Sequence, residues 1–134
     1  MCGSGAEAMI DRLDHLVLTV GNLDRTRDFY VRGLGLKEQS FGDGRHALLF
    51  GRQKFNLHEA AGEPILPRAA YPTKGSADFC LIADRPLDEV IALLDERRIP
   101  IELGPVARTG ATGPIRSVYL RDPDDNLVEI SEYL

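Results

Sequence analysis

The sequence of 134 residues has no tryptophan, only two cysteines and two methionines, and no apolar run close to the ~20 residues that span a membrane. A chain of this length can bury roughly two-thirds of its unfolded surface, so it needs no disulfide to stay folded. Its first residues lack the basic start and apolar core of a secretory signal. We therefore expect a cytoplasmic protein, in which Cys80, within an apolar segment, is a small buried residue.

Basic residues are also fewer than acidic ones. The chain has 16 Lys and Arg against 21 Asp and Glu, which gives a formal net charge of −5. Nucleic acids and anionic membranes bind basic surfaces, so neither is an expected partner. The proportions of 43% hydrophobic and 28% charged residues are typical of a globular protein. We expect a disordered leader at residues 1–8 and a single domain at 9–134.

An internal repeat organises the domain. Residues 13–20 (LDHLVLTV) and 77–84 (ADFCLIAD) are both short, apolar and typical of strands. Each is followed by a Leu-Asp pair that begins a helical stretch, and these pairs, at Leu23 and Leu87, are 64 positions apart. Asn22 can cap the first helix. Because strand, loop and helix recur in the same order, we expect two copies of one unit.

Short strands follow each helix. We predict them at 36–41, 45–50 and 54–59 in the first half and at 101–103, 115–121 and 126–132 in the second. Each half is then a βαβββ module, at about 12–60 and about 76–134, with a linker at 61–75. The predicted fold class is α+β, with the two modules forming a curved mixed sheet around a cup. Polar residues that point into such a cup are candidates for binding and catalysis.

Two polar residues interrupt otherwise apolar strands. His15 lies in the first strand, and Glu129 lies between Val128 and Ile130 in the last. A carboxylate in such a strand is costly to bury unless it is paired or bound to a metal. The two residues come from corresponding edges of the two halves, and imidazole nitrogen and carboxylate oxygen are standard ligands of divalent metals. We therefore predict that His15 and Glu129 bind a metal ion.

Two residues of the strand KFNLHEA are candidates for the third ligand. Asn56 and His58 alternate with Phe55 and Leu57, so both lie on its polar face. The gap placed in the preceding turn decides which of them matches Glu129. We favour His58 as the ligand, because imidazole binds transition metals far better than a neutral amide does. Asn56 is then a predicted substrate contact.

The segment 104–117 (GPVARTGATGPIRS) is rich in glycine and proline and carries two arginines. Such a segment can lie over a pocket and present backbone N–H groups and a cation to an anionic ligand. The alternative is a solvated crossover between a strand and a hairpin. We predict that Arg108 and Thr109 contact the substrate. His46, near a turn, is expected on the surface or at the rim of the pocket.

The opening DHLVLTV, the helix end FYVRGLGL and the closing RDPDDNLVEI resemble the glyoxalase/bleomycin-resistance/extradiol-dioxygenase superfamily, also called vicinal-oxygen-chelate proteins. The likeness covers about residues 12–134. Within it, FNLHE, PTKGSAD and GPVARTGATGPI look like the glyoxalase domain-containing protein 5 subgroup, which includes bacterial virulence proteins. The resemblance implies a glyoxalase-like fold, a divalent metal ion (zinc, nickel, iron or manganese), a small-molecule ligand and a homodimer.

The resemblance also implies four ligand positions, in the first and last strands of each half. Three of these are matched by His15, by Glu129 and by either His58 or Asn56. The repeat spacing places Phe79, which cannot bind a metal, opposite His15. We therefore expect a three-ligand site with open positions for water and substrate, and Phe79 as a substrate contact.

Two functions fit this pattern. The first is a metal-dependent lyase, isomerase or dioxygenase, similar to lactoylglutathione lyase, that acts on a small oxygenated molecule, with Glu129 as both ligand and base. The second is a metal-free protein that sequesters a ligand, as bleomycin-resistance proteins do; Phe79 and the negative net charge suit an aromatic or cationic guest. We favour the enzyme. The metal content of the purified protein discriminates between the two.

Overall fold

The computed structural model describes residues 6–134, so Cys2 and most of the predicted leader lie outside the described residues. Residues 6–14 form neither helix nor strand. The strands are β1 (His15–Val20), β2 (Lys37–Phe41), β3 (Arg45–Phe50), β4 (Gln53–Glu59), β5 (Asp78–Ile82), β6 (Leu103–Gly110), β7 (Gly113–Arg121) and β8 (Leu127–Tyr133). The helices are α1 (Leu23–Arg27), which continues directly into a π-helical segment at Asp28–Gly33, and α2 (Leu87–Glu96).

Both halves have the predicted βαβββ order, and each forms a four-stranded mixed sheet. The strand order is β1-β4-β3-β2 in the first sheet and β5-β8-β7-β6 in the second. In each sheet the first strand of the module pairs parallel with the last, and the other pairs are antiparallel. The α+β fold class is therefore confirmed, and the two sheets have equivalent strand orders.

The two helices begin where the sequence indicates. The side-chain Oδ1 of Asn22 accepts a hydrogen bond of 2.9 Å from the backbone N–H of Arg25, which caps α1. Pro86 directly precedes α2, whose Leu87 and Leu94 are buried. The π-helical continuation of α1 buries Phe29 and Tyr30, so both helical segments direct apolar side chains into the core.

The segment 104–117, which the sequence left open between a cover over the pocket and a crossover, is mostly a hairpin. It contains nearly all of β6 and the first half of β7, which pair antiparallel. Its glycines suggested irregular backbone, but Gly110 and Gly113 lie at the hairpin tip, and Gly104 has a φ of +115° beside a shift in the register of the two strands. These are positions at which strands tolerate glycine.

One hydrophobic core joins the two modules. Its buried members include Leu18, Val20, Tyr30, Leu48, Phe55, Leu87, Val118, Leu120 and Val128. The rings of Phe55 in β4 and Phe79 in β5 have centroids 4.9 Å apart, so aromatic packing crosses the module boundary. The opposite face of each sheet is open at Val17 and Ile82, which are exposed. No helix among residues 6–134 is long and apolar enough to cross a membrane.

Candidate functional site

The first cup face is the side of β1 and β4 that turns away from the core. In the parallel register of these strands, Val17 lies beside Asn56 and Thr19 lies beside His58. Side chains paired across strands, and those two residues apart along a strand, point to the same face. His15, Asn56 and His58 therefore share the first cup face. The two residues that the sequence left as alternatives are both on the side of His15.

His15 has one ring nitrogen occupied. Its Nδ1 is 2.8 Å from Oδ2 of Asp14, and this hydrogen bond lowers the pKa of the Asp14 carboxyl group. Nε2 makes no hydrogen bond to the described residues, and the side chain is 45% exposed. A histidine that donates Nδ1–H to a carboxylate presents the lone pair of Nε2, which is the common arrangement of metal-binding histidines.

Asn56 and His58 contain unusual polar atoms. Asn56 Oδ1 and His58 Nε2 are buried side-chain atoms without a hydrogen-bond partner among residues 6–134. Burial, and then the positive charge of Arg45, lower the pKa of His58, so its ring is neutral near pH 7 and keeps a lone pair. Buried polar atoms are nearly always paired. These two atoms are therefore chemically suited to a metal ion.

The linker covers one end of the first cup face. Between the two lies a cavity of about 120 Å³, lined by Val17, Thr19 and His58 from the sheet and by Pro67, Arg68 and Pro72 among the linker residues. The linker is thus packed against the cup. Arg68 is thus one of the linker residues that border the cavity.

The second cup face is the corresponding side of β5, β7 and β8. Cys80 and Tyr119 lie on either side of Glu129, and Ser117 lies beside Ser131. Oε2 of Glu129 accepts a hydrogen bond of 2.6 Å from Ser117 Oγ, and Ser131 Oγ lies 3.3 Å from the same oxygen. The carboxylate is thus anchored through one oxygen, and Oε1 accepts no hydrogen bond from the described residues.

Arg108 lies on the same face. Its Nε donates a hydrogen bond of 3.0 Å to Tyr119 Oη, and its guanidinium carbon is 5.5 Å from the centroid of the tyrosine ring. A cleft of about 510 Å³ is bordered by Cys80, Ile82, Arg108, Thr109, Gly110, Ala111, Ile115, Tyr119, Glu129 and Tyr133. Arg108 and Thr109 therefore border the same cleft as Glu129. A planar guanidinium in this position can bind an anionic group of a ligand.

Phe79 does not lie in this cleft. In β5 it pairs with Val128, and its ring packs against Phe55 on the core side. The expectation that Phe79 contacts a substrate assumed that the 64-residue spacing of the helices also held in the strands. A slip of one residue moves a side chain to the other face of a sheet. The residue beside Glu129 is Cys80 instead.

Asp78 takes the position that the repeat spacing predicts for Phe79. His15 and Asp78 begin their strands, and each pairs with the residue two positions before Asn56 or Glu129 on the neighbouring strand. The pair of Asp78 and Glu129 is thus equivalent to the pair of His15 and Asn56. An exposed aspartate at the start of a strand is common, so the sequence alone gave no reason to select Asp78.

Cys80 differs from its expected position, and His46 lies away from the pocket. Cys80 is exposed in the cleft rather than buried, with its Sγ 3.2 Å from Ser131 Oγ, and partial burial of the sulfur raises the pKa of the thiol. His46 pairs with Leu57, which lies on the core side of its sheet, and its Nδ1 is 3.5 Å from Nη2 of Arg27. His46 is therefore outside the cup.

The candidate ligands are divided between the two faces. His15, Asn56 and His58 lie on the first cup face, and Asp78 and Glu129 lie on the second. In the part of the chain that the structure describes, no three His, Cys, Asp or Glu side chains are close enough to hold a metal ion together. One chain thus presents two partial sites.

A sequence profile of the Glyoxalase/Bleomycin resistance protein/Dioxygenase superfamily matches residues 12–130. The chain belongs to this superfamily. It is 49% identical over 128 residues to the virulence protein STM3117 of Salmonella typhimurium, covering 96% of this chain and 88% of that protein. It is also 49% identical to the glyoxalase domain-containing protein RDO1 of Mycosarcoma maydis, over 90% of this chain and 68% of that protein.

Solved structures of other superfamily members have the same fold. The crystal structure of STM3117 matches with a TM-score of 0.91 and 50% identity, covering 95% of this chain and 100% of that one. The lactoylglutathione lyase of Agrobacterium tumefaciens matches with a TM-score of 0.69 and 27% identity, covering 92% and 94% of the two chains. The likeness thus extends over both modules.

Proposed function

We propose that this superfamily member is a divalent-metal-dependent lyase, isomerase or dioxygenase that acts on a small oxygenated substrate. The observation that carries the proposal is a pair of buried atoms, Asn56 Oδ1 and His58 Nε2, which have no hydrogen-bond partner within the described part of the chain and lie on the same face as His15. Leaving such an atom without a partner costs about 1–3 kcal/mol. A metal ion held there would remove this cost for both.

The donor atoms suit a first-row divalent ion. His15 and His58 offer imidazole nitrogen, Asn56 offers an amide oxygen, and Asp78 and Glu129 offer carboxylate oxygen. Such a mixture is appropriate to zinc, nickel, iron or manganese. When bound, the ion would supply Lewis-acid polarisation of two neighbouring oxygens of a substrate.

The remaining chemistry is assigned to side chains of the second cup face. Oε1 of Glu129, which is free of hydrogen bonds to the described residues, would ligate the ion or accept a proton from the substrate. Arg108 binds an anionic group of the substrate, with Thr109 beside it on the border of the cleft. Asn56, if it does not ligate the metal, contacts the substrate from the opposite face.

We further propose that the complete site forms in a homodimer. The first cup face of one copy would lie opposite the second cup face of the other, because residues 6–134 of a single chain do not bring the two sets of ligands together. Exposed apolar side chains on both faces support this pairing: Val17 is 45% exposed and Ile82 is 53% exposed. A two-fold dimer of this kind contains two equivalent sites.

Metal analysis of the purified full chain tests the enzyme proposal. We expect close to one divalent ion per chain in the wild type and a sharp loss in His15→Ala and Glu129→Gln. His46→Ala is the matched control, because His46 lies in the same sheet as His15 but on the other face. If the wild type cannot be loaded with zinc, nickel, iron or manganese, the enzyme proposal is wrong, and a metal-free binding protein is the remaining candidate.

Mixing two inactive variants tests the shared site. His15→Ala and Glu129→Gln chains, unfolded together and refolded, would form mixed dimers in which one site keeps both ligands. Random pairing should then restore about a quarter of the wild-type metal sites. If each site were built within one chain, every chain in the mixture would lack a ligand and no metal binding would return.

A further inference from the structure

Four side chains of the second cup face form a continuous hydrogen-bonded chain. Cys80 Sγ is 3.2 Å from Ser131 Oγ, Ser131 Oγ is 2.6 Å from Ser117 Oγ, and Ser117 Oγ is 2.6 Å from Glu129 Oε2. Both serines are fully buried, at 0% exposure. Water therefore does not reach them, and each serine must use its single hydroxyl hydrogen within the chain.

The number of hydrogens fixes the direction of the chain when Glu129 is ionised. The carboxylate cannot donate, so the hydrogen in the 2.6 Å contact to Oε2 comes from Ser117. The hydrogen in the 2.6 Å contact between the two serines must then come from Ser131. Ser131 has no second hydrogen to give, so the thiol of Cys80 is the donor in the last contact.

We propose that Cys80, Ser131 and Ser117 are positioning residues, whose hydrogen bonds all point toward Oε2 of Glu129 and leave Oε1 to face the cup. The role of Oε1 as a ligand or base rests on the proposed function, whereas the direction of the hydrogen bonds is independent of it. Ser117 is the main positioning residue, because its hydroxyl group donates to Oε2 at 2.6 Å, whereas Ser131 Oγ lies 3.3 Å from Oε2 and gives its hydrogen to Ser117.

The S–H stretching band in the infrared spectrum tests the direction without any metal. The full chain with Cys2→Ser has Cys80 as its single thiol. We expect a band at the lowered frequency of a donating thiol, which moves to higher frequency in Ser131→Ala. Ser117→Ala should keep the lowered band, because Ser131 still accepts from the thiol. If the band is already that of a non-donating thiol before Ser131 is replaced, the proposed direction is wrong.

Binding of Mn²⁺ tests the positioning role. Loss of a hydrogen bond to a metal ligand typically weakens metal affinity 10–100-fold, so we expect a loss of about tenfold or more in Ser117→Ala. Ser117→Thr, which keeps the hydroxyl group, should recover most of the affinity. Ser40→Ala, on the exposed strand β2, is the control and should bind as the wild type does.

The two measurements separate the two proposals. If Ser117→Ala is folded, judged by its circular dichroism, and binds Mn²⁺ as tightly as the wild type, the positioning role is wrong. If the wild type itself binds no Mn²⁺ or other divalent ion, the proposed enzyme function fails, while the thiol band still decides whether the chain points toward Glu129.

Discussion

Tyr30 Oη donates a hydrogen bond of 2.7 Å to Oδ2 of Asp122, which joins residues 92 positions apart within the buried core. The same carboxylate accepts from the backbone N–H groups of Asp124 and Asn126 through Oδ1 and from Asn126 Nδ2 through Oδ2. Burial, and then the charge of Asp122, raise the pKa of Tyr30, so the phenol remains a donor. Tyr30 thus ties the turn before β8 to the first module.

Tyr30→Phe should lower the free energy of unfolding by about 1.5–3 kcal/mol, the usual contribution of a hydrogen bond to a charged group. The ring stays in place, so the change removes only the hydroxyl group. Urea unfolding followed by circular dichroism measures the effect. Tyr71→Phe is the control, because Tyr71 is 87% exposed and its replacement should change stability little. Equal losses in both variants would contradict the role of the contact.

The module order was predictable because it depends on patterns that survive small insertions. Apolar strands, the cap at Asn22 and the Leu-Asp pairs at Leu23 and Leu87 recur in order, whatever the loop lengths. The face of β5 was not predictable in this way. The core-facing Leu16 and Phe79 are 63 positions apart, whereas the helix starts are 64 apart, so one loop has an extra residue. A single residue of that kind inverts the strand's two faces.

Phe79→Ala tests this inversion. Because Phe79 packs against Phe55 in the core but is only partly buried, we expect a loss of about 2–3 kcal/mol in the free energy of unfolding, below the usual range for a fully buried ring. Binding of Mn²⁺ by the folded variant should stay as in the wild type. Leu66→Ala, at a position 74% exposed, controls for loss of a large apolar side chain. If Phe79→Ala weakens Mn²⁺ binding without lowering the stability, Phe79 faces the cup and the inversion is wrong.

Gly75 and Gly35 differ in the reason why a side chain would be costly at each position. Both have positive φ, +73° and +80°, but a Cβ on Gly75 would lie 2.6 Å from the carbonyl oxygen of Asp124, whereas Gly35 has open space. Gly35→Ala should cost about 1–2 kcal/mol from backbone strain alone. Gly75→Ala should cost about 1–3 kcal/mol more, because the turn at Asp124 must shift.

Thermal or urea unfolding of the two glycine variants measures the difference directly. Gly75 lies in the segment that leads from the linker into the second module, and Asp124 Oδ1 accepts a hydrogen bond from the backbone N–H of Gly21. The Asp124 turn thus contacts both modules. Equal losses in the free energy of unfolding of the two variants would show that the close approach to Asp124 adds no cost to the substitution.

The candidate site was only partly predictable, because some of its contacts depend on the register between strands. His15 and Glu129 could be selected because each is polar within an apolar strand. Ser117 could not, since its contact with Glu129 depends on the antiparallel register of β7 and β8, which no periodicity in one strand specifies. Asp78 was missed because the helix spacing, applied to the strands, selected its neighbour.

Asp78→Ala tests the equivalence of the two modules. If Asp78 is a ligand in the position corresponding to His15, its loss should weaken Mn²⁺ binding by about tenfold or more, within the range typical for disturbing a metal site. Asp84→Ala is the matched control, because Asp84 follows the same strand and is exposed but pairs with Arg85. Its replacement should leave Mn²⁺ affinity unchanged, since exposed ion pairs contribute little.

The comparison of these two aspartates also distinguishes a direct ligand from general electrostatics. Both variants remove one negative charge from the second module, so a purely long-range effect would weaken binding of the cation similarly in the two, and it would decline as salt is added. A ligand contributes at short range, and its effect should persist at high ionic strength. If Asp78→Ala and Asp84→Ala lose Mn²⁺ affinity to a similar extent, and both losses disappear at high ionic strength, Asp78 is not a ligand. Glu129 would then be the single ligand from the second cup face, in a site of three or four ligands.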